Sequence, residues 1–321
     1  MAASTKPLAR RLYAAAHRGL VGAINRLGWV VAPVADYYQP LRPVAELERH
    51  AGRWFRPSAL GGLEFDLPAM EAELESLVSS HLAEYLELPS YEENRRRMYG
   101  PGFTRVDALV LYLMLRRHRP ARYVEVGSGL STYYAWLAGE RNRAEGRPMR
   151  MRVVDPFVGR GVRELAGVEV VAREAQDVPV AELTDLAAGD VLFIDSTHIV
   201  RIDGEVPYLV LEVLPALRPG VIVHIHDMHF PYNVPADPAA YVLDRRWPML
   251  FTEAMLVQAY LAYNSRMEIL MSTPLLRHHR EAALRRLVPG YQPLDPADFD
   301  THHGSLWLRC GEAPPTRQRL S

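Results

Sequence analysis

From Arg122 onwards, short apolar runs bounded by turn residues alternate with stretches of helical spacing. That alternation predicts βαβ units and a parallel sheet. The runs are Tyr123 to Val126, Met151 to Val154, Val168 to Val171, Val191 to Ile194 and Val221 to Ile225. Their mostly apolar character places them inside a sheet covered on both faces. Met267 to Met271 and Ser305 to Leu308 supply a sixth and a seventh strand, the latter after a turn at His303-Gly304. Phe251 to Tyr263 reads as a helix before the sixth strand, and Thr273 to Leu287 as one between the sixth and the seventh. The expected fold class is therefore α/β, with a parallel-core seven-stranded sheet over residues 121–312 and a tail at 313–321.

Upstream, basic and apolar positions recur at helical spacing from about residue 6 to 28, where Gly28 is placed to end the helix. Ala32 to Pro43 is irregular, with three prolines and the pair Tyr37-Tyr38. Helical spacing returns at Leu67 to Leu88 and Thr104 to His118, on either side of the Gly100-Pro101-Gly102 turn. Residues 1–120 thus read as an N-terminal helical cap. The basic helix at 6–28 is expected to pack on its own domain or on a second subunit rather than on a membrane surface, which leaves room for a homo-oligomer.

Composition narrows the function classes. Thirty-seven Lys and Arg against 38 Asp and Glu leave a net charge of -1, so no global field favours nucleic acid. The longest basic run is Arg95-Arg96-Arg97. One cysteine, Cys310, permits no internal disulfide and no cysteine-based zinc site, in keeping with a cytoplasmic protein. No stretch approaches the ~18 to 20 uncharged apolar residues of a membrane span. Any metal must be held by His, Asp or Glu.

The chemistry starts at Tyr123-Val-Glu-Val-Gly-Ser-Gly-Leu-Ser-Thr132, a Gly-x-Gly between an apolar strand and a helical stretch. Glycines let the backbone approach a ligand, and the helix N-terminus beyond presents free amides. A dinucleotide fingerprint would place a third glycine where Thr132 stands, which disfavours NAD or FAD. Glu125 is an acceptor suited to a ligand ammonium group. Asp155, ending the second strand, can bind ribose hydroxyls or merely cap the turn at Pro156. Gln176 and Asp177 follow the third strand at the level of an adenine, although Asp177 also suits a helix N-cap.

The fourth and fifth strands end in Asp195-Ser-Thr-His198 and His224-Ile-His226-Asp227-Met-His229. In an open α/β sheet, ligands collect outside the carboxyl ends of the strands, so both groups should face one crevice with Gly127 and Asp155. Asp195, His226 and Asp227 form an oxygen-and-imidazole set suited to Mg²⁺, Mn²⁺ or Fe²⁺. His198 would stand beside them, able to take a proton from a substrate hydroxyl. Each of these residues alone would more simply satisfy a local hydrogen bond. Alternation along the strand puts His224 and His226 on one face and Asp227 on the other unless the strand ends first, and it assigns His224, the deepest, to structure. His229 and the Phe230 to Pro235 loop, continued by Tyr241 to Trp247, are placed to overhang the crevice, with Asn94, Tyr99 and Phe103 as further candidates from the cap. His278-His279, among arginines, reads as solvated surface.

Together these strings resemble class I S-adenosylmethionine-dependent methyltransferases, over about residues 25 to 310. The matching pieces are Glu125-Val-Gly-Ser-Gly-Leu-Ser-Thr132, Phe193-Ile-Asp-Ser-Thr-His198, Leu214-Pro-Ala-Leu-Arg-Pro-Gly220 and His224-Ile-His-Asp-Met-His-Phe-Pro231. The resemblance implies a Rossmann-like domain in which Glu125, Gly127, Ser128, Gly129, Ser131 and Thr132 wrap the methionine and ribose portions of the cofactor and Asp155 binds ribose. It is similar in particular to a bacterial branch linked to sugar and natural-product pathways, whose metal-dependent O-methyltransferases imply Asp195, His226 and Asp227 as metal ligands and His198 as base. At His226 those enzymes carry a carboxylate, so the ion's identity stays open. The expected activity is methyl transfer from S-adenosylmethionine to a small polar acceptor. The rivals are an NAD-dependent oxidoreductase, a metal-dependent oxygenase on the same scaffold and a non-catalytic interaction subunit.

Overall fold

A computed structural model describes residues 18–31, 38, 42–97, 99–100, 102–235, 238–243 and 249–312. The chain forms two compact units, residues 1–51 and 52–321. In the first, residues 18–26 are helical and Gly28, at φ +83°, follows the helix end. The earlier part of the expected 6–28 helix, Tyr37, residues 244–247 of the Tyr241 to Trp247 stretch and the 313–321 tail lie outside the described residues.

The second unit is built on a seven-stranded sheet: β1 (Arg122–Val126), β2 (Arg150–Val154), β3 (Val168–Val171), β4 (Val191–Ile194), β5 (Ile222–Ile225), β6 (Met267–Ser272) and β7 (Leu306–Cys310). Its order is β3-β2-β1-β4-β5-β7-β6. The first five strands pair in parallel, while β7 runs antiparallel between β5 and β6. This is the Rossmann-like α/β sheet. Apolar β4 and β5 are buried along their whole length, as strands covered on both faces must be. The chain starts at β1 and winds outwards in both directions, so the crevice between β1 and β4 is the topological switch point where ligands bind in such sheets.

The major helices of this unit are α1 (Leu67–Tyr85), α2 (Tyr91–Arg95), α3 (Arg105–His118), α4 (Leu130–Ala144), α5 (Glu253–Leu261) and α6 (Thr273–Leu287). α3 packs on α4, and α1 packs on both α3 and α6. Every residue of α3 from Val106 to Arg116 is buried. A helix covered on all sides is a core element. Arg116 is buried with it, matched by Glu84 at 2.6 Å and Glu145 at 2.5 Å.

Candidate active site

The turn after β1 is set by close approach. A Cβ on Gly127 would lie 1.8 Å from the Asp195 carbonyl oxygen, and Gly127 sits at φ +92°. Both facts demand glycine. The Gly127 N–H donates to the Val154 carbonyl at 2.9 Å, and the Asp195 N–H to that of Val126 at 2.8 Å, so the ends of β2, β1 and β4 are laced together. Beneath the turn, the Ser131 hydroxyl donates to Glu125 Oε1 at 2.5 Å, and Thr132 Oγ1 accepts from the Gly129 N–H at 3.1 Å. Glu125 is fully buried and its Oε2 has no hydrogen-bond partner. Burial lifts its carboxyl pKa to about 8, against the lowering pull of the Ser131 hydrogen bond.

A cavity of about 270 Å³ opens above this turn, lined by Gly127, Ser128, Asp155, Gln176, Asp195 and Glu205 among others. The Ser128 hydroxyl donates to Asp155 Oδ2, and Asp155 Oδ1 accepts from the Phe157 N–H at 2.7 Å. Gln176 donates to the Asp203 carbonyl at 3.3 Å, leaving a buried Oε1 with no partner. Of the residues expected to bind the cofactor, Gly127, Ser128, Asp155 and Gln176 line the cavity. Glu125, Gly129, Ser131 and Thr132 build the turn beneath it, and Asp177 is exposed, outside the lining. Phe157, Glu174, Arg201 and Glu205 also line the cavity. They lie in loops or, for Glu205, at the start of a one-turn helix, without a spacing signal that could have marked them.

Asp195 belongs at once to this cavity and to a cluster of acids and imidazoles. His198 Nε2 lies 3.3 Å from Asp195 Oδ1 and 3.3 Å from Asp227 Oδ2. His226 Nδ1 lies 3.2 Å from Asp195 Oδ1 and 3.7 Å from Asp227 Oδ1. Asp227 reaches the same side as His226 because β5 ends at Ile225 and Asp227 takes a left-handed φ of +53°, which breaks the strand alternation. Asp195, His198 and Asp227 present ligand atoms within 4.8 Å of one another. His226, expected among the ligands, stands on the same two aspartates one step deeper in the fold.

Two residues absent from the sequence reading complete the cluster. Glu253, in the first turn of α5, places Oε2 2.8 Å from His198 Nδ1, and Asp107, in the first turn of α3, places Oδ2 3.1 Å from His226 Nε2. In sequence both read as ordinary acids at helix starts, where the dipole favours negative charge.

Four carboxylates thus surround two imidazoles. Burial alone would lower the His198 pKa, but the hydrogen bond to Asp195 and the charges of Asp227 and Glu253 raise it to about 10. His226 is likewise held well above the ordinary histidine value by Asp195, Asp227 and Asp107, against burial. Burial pushes the Asp195 carboxyl up, but His226 and His198 pull it well below the usual carboxylate range, whereas at Asp227 burial prevails and the pKa is raised. Even with both rings protonated, the ionised cluster keeps an excess of negative charge. That charge, with oxygen and nitrogen donors around one point, fits a divalent cation.

His224 answers to structure, as expected: it stacks between Phe193 at 4.2 Å and Trp307 at 4.0 Å, with Nε2 2.9 Å from the Ser305 hydroxyl. Phe103 packs 4.8 Å from the His226 ring, Tyr99 stacks on Tyr133, and Asn94 donates to the Tyr134 hydroxyl at 3.1 Å. His229 is buried with Nε2 unpartnered, and His278 and His279 are exposed.

No family model matches the chain. An uncharacterized protein of Archaeoglobus fulgidus is 24% identical over 168 residues, which cover 49% of this chain and 74% of that protein. Among solved structures, the chain is similar to the O-methyltransferase TomG from Streptomyces achromogenes, involved in tomaymycin synthesis and solved in complex with SAM. It has 16% identity to this chain and a TM-score of 0.39, over 78% of this chain and 92% of that one. An O-methyltransferase from Bacillus cereus in complex with SAH shows 14% identity and a TM-score of 0.39, over 75% and 91%. At these values, the chain's own topology and residues carry the functional reading. Among the described residues, no helix is long and apolar enough to cross a membrane.

Proposed function

We infer that this protein transfers a methyl group from S-adenosylmethionine to a hydroxyl of a small polar acceptor of sugar or natural-product type. The observation that carries the reading is the double membership of Asp195, which lines the nucleoside-sized cavity and anchors the acid–imidazole cluster. Cofactor and acceptor chemistry therefore meet at one carboxylate. Gln176 Oε1 is an unspent acceptor suited to the adenine amino group, Asp155 suits the ribose hydroxyls, and Glu125, buried beneath the turn with a raised pKa, would be drawn to its ionised form by a ligand ammonium group.

Asp195, His226 and Asp227 would hold a divalent ion, Mg²⁺, Mn²⁺ or Fe²⁺, leaving His198 Nε2 beside them to take the acceptor proton. When bound, the ion supplies Lewis acidity towards the acceptor oxygen and offsets the aspartate charges that keep His198 protonated. Glu253 orients His198 from behind, as an acid orients a base in catalytic triads. Holding acceptor and methyl group in line is worth roughly 7 to 11 kcal/mol, and a placed base about 10²- to 10⁴-fold in rate.

Calorimetric titration with S-adenosylhomocysteine and, separately, with NAD tests the cofactor. Binding of the first and not the second is expected; the reverse would establish the oxidoreductase. Mn²⁺ titration of His198→Ala tests the roles of the imidazoles: unchanged affinity is expected of a base, and lost affinity would make His198 a ligand.

A further inference from the structure

Asp107 and Glu253 are both essentially inaccessible to solvent, at 0% and 1% exposure, and an acid in such a place must be paired. Each faces one imidazole nitrogen, and in each case the ring's other nitrogen faces Asp195 and Asp227. We propose that Asp107 and Glu253 are positioning residues: each carboxylate takes the ring N–H of one histidine, so that Nδ1 of His226 and Nε2 of His198 are the atoms presented to the aspartate pair.

The two acids differ in how firmly they are held. Asp107 accepts from the Thr104 hydroxyl at 2.7 Å, the Ser305 hydroxyl at 2.7 Å and the Gly304 N–H at 3.2 Å, besides His226. It joins α3 to the start of β7, and the close approach requires glycine at 304, where a Cβ would lie 2.9 Å from the Met228 carbonyl oxygen. This saturated carboxylate fixes its ring rigidly, as ligand histidines are fixed by acids behind them. Glu253 holds His198 through Oε2 alone, while its buried Oε1 has no partner among the described residues. The His198 carbonyl accepts the Thr252 and Glu253 N–H groups at 2.8 and 3.0 Å, so the start of α5 clasps the histidine by backbone and side chain together. His226 is accordingly backed by the more fully bonded acid, and His198 by the one with an acceptor to spare. The placing of the rings stands on geometry alone, whereas the division into ligand and base rests on the proposed function.

Full-length protein with ¹⁵N-labelled histidine tests the placing by nuclear magnetic resonance. Among the slowly exchanging, downfield ring N–H signals of the wild type, two are expected to belong to His226 Nε2 and His198 Nδ1. Asp107→Asn should remove one and Glu253→Gln the other, with far-UV circular dichroism unchanged. A variant that is folded but retains both signals would overturn the pairing. Should Asp107→Asn fail to fold, Ser305→Ala, which strips Asp107 of one donor and His224 of its hydroxyl partner, is expected to broaden the His226 signal and leave that of His198 unchanged; an unchanged His226 signal overturns the role of Asp107. Titration with Mn²⁺ then reads the division of roles. Asp107→Asn should weaken Mn²⁺ roughly 10- to 100-fold, and Glu253→Gln should leave it nearly unchanged; equal losses would overturn the division. Wild type without affinity for S-adenosylhomocysteine or Mn²⁺ would sink the proposed function while leaving the ring signals to judge the pairing.

Discussion

Two regions meet at Asp195, and they are built in opposite ways. The cavity beside β1 and β4 keeps an unspent polar atom in its lining, Gln176 Oε1, and a second, Glu125 Oε2, is buried in the turn beneath it. The cluster beyond β4 and β5 spends most of its polar atoms on itself, each imidazole lying among three carboxylates. The first is centred on the strand, glycine turn and helix at β1, with Asp155, Gln176, Asp195 and Glu205 brought to it from later segments. The second joins groups from α3, two strand tips and α5, which lie farther apart in the chain.

The contrast can be broken most sharply at the turn. Gly127→Ala puts a Cβ into the Asp195 backbone at a φ unfavourable to other residues, and is expected to remove measurable S-adenosylhomocysteine binding in calorimetry. Asp195→Asn should separate the regions. It is expected to cost Mn²⁺ affinity more than the roughly 100-fold typical of outer-shell losses, while cofactor affinity changes only a few-fold; loss of both together would show that the regions are one. Asp155→Ala should act on the cavity alone, weakening S-adenosylhomocysteine by about 1.5 to 3 kcal/mol, roughly 10- to 100-fold in Kd, with Mn²⁺ binding intact.

A smaller effect is expected from pH. The Glu125 carboxyl is raised to about 8 in the fold and is ordinary in the unfolded chain, so the folded state holds this proton more tightly. Its burial is without penalty while both states are protonated, and the penalty grows as pH rises from the ordinary carboxylate range to about 8. Thermal melts should accordingly show Glu125→Gln matching wild type at pH 5 and exceeding it at pH 8.5; a constant offset between the two would contradict this. Smallest of all, His278→Ala and His279→Ala should stay within about 0.5 kcal/mol of wild type in denaturant melts.

Much of the fold was legible because parallel strands buried on both faces leave apolar runs that stand out from their surroundings. β3 and β4 begin and end where the runs at Val168 and Val191 do, and the other strands differ by no more than two residues at either end. The burial of α3 was not legible. α3 carries an acid and arginines, Asp107, Arg116 and Arg117, which look like a solvated face until the partners that bury Asp107 and Arg116 are seen. At the site, Gly127, Asp155, Asp195, His198, His226 and Asp227 were visible because strand tips gather polar residues after apolar ones. Asp107 and Glu253 were not, since each has an ordinary explanation at a helix start.

The sequence by itself determined the strands, the glycine turn and the residues at the strand tips, because these depend on side-chain period and local backbone freedom. Only the tertiary structure decided that β7 enters between β5 and β6, that Asp227 turns towards His226, and which buried acid faces which imidazole. Those outcomes depend on groups from distant segments satisfying one another away from water, and no local pattern encodes such pairing.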